Sequence, residues 1–469
     1  MDKDKIIQEL LEQVQLLTFR LEQAEKRIAE LEAENAALKS RLSQNSKNSS
    51  RPPSSDGYNK QPAFAKKRKG KKGGQKGHKG NTLHQVKHPD KIVECSPENC
   101  DCGHEFTHSE IELAEKRQVF DLPEPRLDVT EYQLYQGECP DCGKKVAATP
   151  PPGVNAPAQY GNRIKAYAVL LNVNFKLPFK KIQLLFKDLF GYPINESTIV
   201  SAQKQCFQNL QSAEQQIKFG IISQSTAHAD ETGIRVNGKL HWLHTLSTDQ
   251  YTYQYVHSKR GRLALESSQS ILDKLRGWLV HDCWSSYFKF KNINHAVCNA
   301  HILRELQGLI ENHKTSWAQA LKTLLMKIYE MPFEERVKQR PQIESAYSIL
   351  CSIGNKSEPL PTKHPHKAGR YKRTKGRNLV ERLIREKQAV LAFAFNRQVP
   401  FTNNLAERDI RPAKIKLKIS NCFRSPSGAD IYARIESFVS TVRKQNRHVF
   451  KELCLSFDDG NFCTEGRGS

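Results

Sequence analysis

Acidic residues are in short supply in this chain. Fifty Asp and Glu face 73 Lys and Arg in 469 residues, a formal net charge of +23. That imbalance favours a polyanionic partner, nucleic acid ahead of an anionic membrane. Long hydrophobic runs are missing as well. No apolar stretch approaches the roughly 18 residues of a membrane helix, and the opening MDKDKIIQEL lacks a secretory signal pattern. The expectation is a cytoplasmic protein with no membrane partner. In that compartment disulfides are excluded as a framework, so the cluster of five cysteines among twelve, between Cys95 and Cys142, reads as metal ligation. The length allows about three domains and a sizeable core.

Residues 1–45 carry a heptad. Ile7, Val14, Leu21, Ile28, Asn35 and Leu42 fall at position a, and Leu10, Leu17, Ala24, Leu31 and Leu38 at d. β-Branched residues at a, Leu at d and one Asn at a specify a parallel two-stranded coiled coil. Three cross-strand charge pairs agree with it: Arg20 with Glu25, Arg27 with Glu32, and Glu34 with Lys39. The competing reading is a helix packed on its own chain. Residues 46–92 are rich in Ser, Asn, Pro and Gly and read as a flexible basic linker. Lys66, Lys67, Arg68 and Lys69 lie within it and suit phosphate binding by counterion release.

Residues 93–150 read as a small zinc-binding domain. Cys139-Pro-Asp-Cys142-Gly has the spacing of a zinc-knuckle half. The upstream half is irregular, with Cys100 and Cys102 as ligands and Cys95 as the alternative; RQVFDLPEPRLDVTEYQLYQG, between the halves, alternates like two strands. Residues 151–222 are helical. Pro178 opens one helix, Gly191 ends it, and Asn195 or Ser197 caps the next, which fits a helix-turn-helix or an ordinary helical hairpin.

Residues 223–450 turn to strands. HADETGIRV, an Asn237-Gly238 turn, KLHWLHTLST and YTYQYVHS make an antiparallel meander. A helix over GRLALESSQSILDKLRG, then strands WLVHD and HAVC, follow. That order is RNase H-like, with a helical insertion over about 303–400 that carries a basic loop including Arg370, Lys372 and Arg373. Residues 451–469 form a tail. The whole is an α+β multidomain chain: coiled coil, zinc-binding domain, helical DNA-binding region and RNase H-like catalytic domain.

Three carboxylates stand at element ends: Asp230 in the first strand, Asp282 at the end of the fourth and Glu407 at the start of the last long helix. Hard cations such as Mg²⁺ or Mn²⁺ want oxygen ligands, and two of them clamp the oxygens of a phosphoryl displacement. Each acid has a bland reading: a solvated strand edge, a turn cap, and a capping box from Asn404 to Glu407. Glu231 and Thr232 are placed to orient the first ligand, and Arg408 and Arg411 to meet phosphate. Cys298-x-x-His301 is either a second metal point or, since two ligands seldom hold a metal, a packing pair.

These segments resemble the insertion-sequence-66 family of transposases over nearly the whole length. The resemblance rests on SQNSKNSSRPPSSD, GGQKGHKG, HADETG, VHDCW, CNAH and the long block NNLAERDIRPAKIKLKISNCFRSPSGADIYARIESFVSTVRKQ. It implies a DDE triad of Asp230, Asp282 and Glu407, and strand cleavage and strand transfer on transposon-end and target DNA. It also implies a bacterial, nucleoid-associated protein with accessory proteins from the same element. Family members commonly carry Gly where this chain has Asn421. A catalytically silent DNA-binding regulator derived from a transposase is the alternative, and the intact triad argues against it.

Overall fold

The structure is a computed structural model that describes residues 3–49, 82–97, 101–109, 111–363 and 371–458. The chain divides into two units: Met1–Gln61, Pro152–Leu184 and Ile194–Ser469 in one, Pro62–Pro151 and Leu185–Pro193 in the other. Cys100, Lys66, Lys67, Arg68, Lys69 and Arg370 lie outside the described residues, as does the side chain of Lys372.

Helix α1 (Lys3–Leu42) is one unbroken 40-residue helix. It contains neither Gly nor Pro, the two residues that interrupt helices most. Its heptad stripe is open to solvent in the single chain: Val14, Leu17, Leu21 and Ile28 are each 55–62% exposed. Further along lie α2 (Asn162–Val169), α3 (Phe179–Phe190), α4 (Glu196–Asn209) and α5 (Gln211–Ile222). Gly191 ends α3 at φ +75°, as its place in the sequence predicts. Asn195 sits at the N-cap of α4 without a side-chain capping bond.

A five-stranded sheet follows: β1 (Thr226–Val236), β2 (Lys239–Ser247), β3 (Thr252–His257), β4 (Trp278–His281) and β5 (Asn294–Val297). The spatial order is β3-β2-β1-β4-β5. The β1–β2 and β2–β3 pairs are antiparallel, and β1–β4 and β4–β5 are parallel. Asn237 and Gly238 turn the first hairpin at φ +48° and +72°, the conformation for which that dipeptide is preferred. Between β3 and β4 the expected long helix shrinks to one turn, Arg262–Leu265, and a 3₁₀ turn, Leu272–Lys274. Serines explain the loss. Ser267 Oγ donates to the Ala264 carbonyl and Ser270 Oγ accepts from Leu272 N, offering the backbone partners other than the helix ladder.

From β5 the chain enters α6 (Asn299–His313), α7 (Ser316–Glu330), α8 (Arg340–Ser357), α9 (Lys375–Arg385) and α10 (Lys387–Phe395). These helices share a core with Trp317, Leu321, Tyr347, Leu383 and Val390, continuous with Val280 and Val297 of the sheet. Then come α11 (Asn404–Ser420), α12 (Pro426–Lys444) and α13 (Val449–Asp458). Ile410 and Ala413 of α11 join Ile234 and Val236 of β1 in one core. Ala227 and Ala229 of β1 belong to another, with Ile217 and Ile221 of α5. The period-two alternation of β1 therefore assigns even positions, Asp230 among them, to the face that α11 covers.

The first residues after α1 pack against α6. Asn48, 6% exposed, donates to Glu311 Oε2 (2.6 Å) and to the Ser43 carbonyl (3.0 Å), and accepts from Asn45 N (2.8 Å). In the second unit, strands Gln136–Glu138 and Lys145–Ala147 form a small hairpin. The strands expected further upstream are not seen among the described residues: Val119, Leu122 and Val129 are 86–93% exposed. Pro123 and Pro125 remove backbone donors there.

Candidate active site

Register brings two of the carboxylates together. Strands β1 and β4 pair in parallel as Thr226↔Trp278, Ala227↔Leu279 and His228↔Val280. Two residues past the last pair, Asp230 is still within β1, while Asp282 lies just beyond the end of β4. The two acids are close enough for the Asp282 charge to raise the Asp230 carboxyl. Asp230 Oδ1 accepts from Glu231 N (2.9 Å) and Asp282 Oδ1 from Trp284 N (3.0 Å). That second bond needs a sharp reversal, which Cys283 makes at φ +71°.

Glu407 arrives from the other side, in the first turn of α11. The bland reading of Glu407, a capping box from Asn404, is not what forms. The N-cap is Asn403, and its side chain is spent elsewhere: its Nδ2 donates to the Ala229 carbonyl (2.8 Å) and its Oδ1 meets His228 Nδ1 (2.9 Å). Asn403 thus pins the start of α11 to β1 beside Asp230. Two residues past Glu407, Asp409 accepts from Ser247 Oγ, Thr252 Oγ1 and Lys444 Nζ, fastening the same helix to β2, β3 and α12. Both anchors lie in NNLAERD, and single-sequence reasoning picked neither, because their partners are 35 to 175 residues away.

The electrostatics are those of crowded acids. Burial first, then Glu231, Asp282 and Glu407, push the Asp230 carboxyl up to about 8. Burial and Asp282 raise Glu231, against the lowering effect of Tyr287 and Arg260. Asp282 is raised by burial and held back by the Trp284 amide, Arg260 and Arg382. Glu231 is fully engaged: Arg260 Nε and Nη2 donate to its Oε1 (2.9 and 2.7 Å), and Tyr287 Oη to its Oε2 (2.6 Å). The Arg260 guanidinium is itself held over Trp242 and Trp284, 4.9 and 4.5 Å from the ring centres, a cation–π contact on both sides. Nothing in the local sequence singles out Arg260.

Glu407 also faces a second group. Its Oε1 lies 3.8 Å from His301 Nδ1 and 3.9 Å from an Arg304 nitrogen. One donor atom each from Cys298, His301 and Glu407 fall within 4.8 Å of one another. No other such triple occurs among the described residues, so the oxygens of Asp230, Asp282 and Glu407 are spread more widely than that. Burial lowers His301 to about 4, helped by Arg304 and Arg382, and raises the Cys298 thiol to about 11.

Of the basic residues expected at phosphate, Arg408 and Arg411 are exposed on α11, and Arg373 pairs with Glu381. Among the expected zinc ligands, Cys139 and Cys142 sit in a tight turn: Gly143, at φ +67°, donates to the Cys139 carbonyl (2.8 Å). Backbone amides of Asp141 and Cys142 lower the Cys139 thiol. Cys95 and Cys102 are exposed and do not gather with that pair into a set of ligands.

A mixed α+β chain with acids clustered at the centre of its sheet is consistent with the catalytic domain of a DDE transposase. The comparison with known families agrees: the model described as Transposase IS66 family matches residues 157–431, and the chain belongs to that family. A second model, a family of unknown function (DUF6444), matches residues 2–84. No curated protein matches the chain. No helix among the described residues is long and apolar enough to cross a membrane.

Proposed function

We propose that this transposase cleaves and joins DNA at one carboxylate site, with Asp230, Asp282 and Glu407 as its catalytic triad in an RNase H-like domain. The observation that carries the proposal is the crowding of the three acids, Asp282 and Glu407 both acting on the buried Asp230 carboxyl, at the parallel β1–β4 pair and the start of the glutamate-bearing helix. The sheet order β3-β2-β1-β4-β5 with only β2 reversed supports the fold name.

The donor set fits a hard divalent cation. Burial and the neighbouring acids hold the Asp230 carboxyl up at about 8, the mark of a site short of positive charge, and oxygen-only ligands select Mg²⁺ or Mn²⁺. Bound there, such a cation supplies charge stabilisation to the attacking and leaving oxygens of a phosphodiester. The protein's own contribution is positional. Asn403 and Asp409 fix the helix that offers Glu407; the Trp284 amide orients Asp282; Arg260, Glu231 and Tyr287 brace the floor beneath Asp230. Arg408 and Arg411, exposed one turn apart beside Glu407, face the DNA backbone as phosphate contacts.

The remaining parts serve the handling of DNA. The exposed heptad of α1 pairs with a second copy, so that two transposon ends are held in one assembly, with accessory proteins of the same element as further partners. Zinc takes Cys139 and Cys142 with two of Cys95, Cys100 and Cys102. Lys66, Lys67, Arg68, Lys69, Arg370, Lys372 and Arg373 add phosphate contacts, and the protein works at the bacterial nucleoid. The test is an assay of Mg²⁺- or Mn²⁺-dependent nicking and strand transfer on terminal-repeat DNA. Cleavage by the wild type, lost in Asp230→Asn while DNA binding survives, supports the reading. Binding without cleavage in both proteins, accessory proteins included, overturns it in favour of a silent regulator.

A further inference from the structure

Two helix starts meet at Glu407, and three unlike donors converge between them. Cys298 is the N-cap of α6 and Asn403 the N-cap of α11. The two ends are stitched together by Asn299 N donating to the Phe401 carbonyl (3.0 Å) and Asn403 N to Cys298 Sγ (3.1 Å). Into this junction project Cys298, fully buried, His301 from the first turn of α6, and Glu407 from the first turn of α11, with their donor atoms within 4.8 Å. Buried polar atoms ordinarily find partners. Here His301 Nδ1 and Glu407 Oε1 are both shut off from solvent without a hydrogen bond, although they face each other at 3.8 Å. That separation is too long for a hydrogen bond and short enough for both to reach one common atom.

We propose that Cys298, His301 and Glu407 form a second metal site, for a borderline cation of the zinc class, distinct from the hard-cation site that Asp230 and Asp282 serve. The donor chemistry separates the two. One sulfur, one imidazole nitrogen and one carboxylate oxygen are zinc-type ligands, whereas Mg²⁺ takes oxygen. Three protein ligands leave a fourth position for water or another group. Arg304, 3.9 Å from Oε1, and the two helix N-termini oppose a cation there. The affinity must therefore come from a thiolate bond, and the thiol proton passes to solvent on binding. The ion ties α6 to α11 through Oε1 of Glu407, holding the carboxylate that the catalytic reading also uses. The binding claim stands without that reading, because it is measured without DNA.

The experiment is a Co²⁺ titration of the full-length, metal-stripped protein, followed by absorption and by metal analysis. The background carries Cys95→Ser, Cys100→Ser, Cys102→Ser, Cys139→Ser and Cys142→Ser, which removes every thiolate of the other proposed zinc site. One equivalent of Co²⁺ per chain with a thiolate-to-metal charge-transfer band, displaced by Zn²⁺ but not by a hundredfold excess of Mg²⁺, is expected. Cys298→Ser and His301→Ala should each abolish the band, with circular dichroism reporting whether each variant is folded. Absence of any thiolate band in the Cys298-containing background overturns the proposal without recourse to a variant. So does a band that survives in folded Cys298→Ser. Loss of nicking in Asp230→Asn with the Co²⁺ band intact would separate the two sites.

Discussion

At the residue scale, the site stores unfavourable charge for use. Asp230 has a folded pKa of about 8 against an ordinary value of 3.8. The folded state therefore holds the proton more tightly than the unfolded chain. The stability linked to it is fully present below about pH 4 and is lost as pH rises towards 8. Metal-free Asp230→Asn should consequently be more stable than wild type at pH 8, by at least about 1 kcal/mol or a few degrees in Tm, while losing cleavage. Thermal melts in chelator at pH 5 and pH 8 check this, and a variant less stable than wild type at pH 8 would contradict the crowding. Metal affinity should rise over the same interval, since ligands bind cations only when deprotonated. Backbone geometry supplies a second test. Asn421 ends α11 at φ +59° and ψ −47°, a strained γ-turn geometry closed by Cys422 N donating to the Ser420 carbonyl (2.7 Å), where a residue other than Gly loses about 1–3 kcal/mol. Asn421→Gly should raise Tm and Asn421→Val lower it, with activity unchanged in the first.

At the scale of elements, the position of α11 decides the site. Asn403→Ala leaves His228 Nδ1 and the Ala229 carbonyl without their partner, costing about 1–3 kcal/mol. Cleavage should fall by more than the melt explains, with DNA affinity retained. Asp409→Ala removes the charge partner of Lys444, 13% exposed, and leaves its ammonium only the Thr248 and Tyr251 carbonyls, a loss of about 1–3 kcal/mol; urea unfolding measures it. These two anchors also mark where sequence reading stops. The strands were legible because HADETGIRV and KLHWLHTLST alternate around Asn237-Gly238, and WLVHD was legible as a fourth strand; its parallel register against β1 was not. A helix beginning near Asn299 and another from Asn404 were legible, and the structure ends the first at His313. The capping box at Asn404 was not formed, because the helix starts one residue earlier than that reading needs, with Asn403 at the N-cap and its side chain bonded to His228 and Ala229. The long helix after β3 failed because serine hydroxyls compete with the helix ladder. Arg260, clamped by Trp242, Trp284 and Glu231, depends on contacts across three elements that no local pattern encodes.

At the scale of the whole molecule, a 40-residue helix with an uncovered heptad is attached to the catalytic unit through Asn48 and α6. Pairing of α1 should make the protein a dimer of twice 53.6 kDa. Leu17→Glu with Leu31→Glu should convert it to a monomer in analytical ultracentrifugation with nicking of single ends kept; a monomeric wild type at micromolar concentration would contradict the coiled coil. All of this serves one claim, that Asp230, Asp282 and Glu407 hold the cations that cut DNA. The most direct measurement exchanges one ligand atom. Sulfur binds Mg²⁺ poorly and softer Mn²⁺ better, so Asp282→Cys should be inactive on terminal-repeat DNA in Mg²⁺ and recover cleavage in Mn²⁺. Cleavage by Asp282→Cys in Mg²⁺ at the wild-type rate would contradict the account.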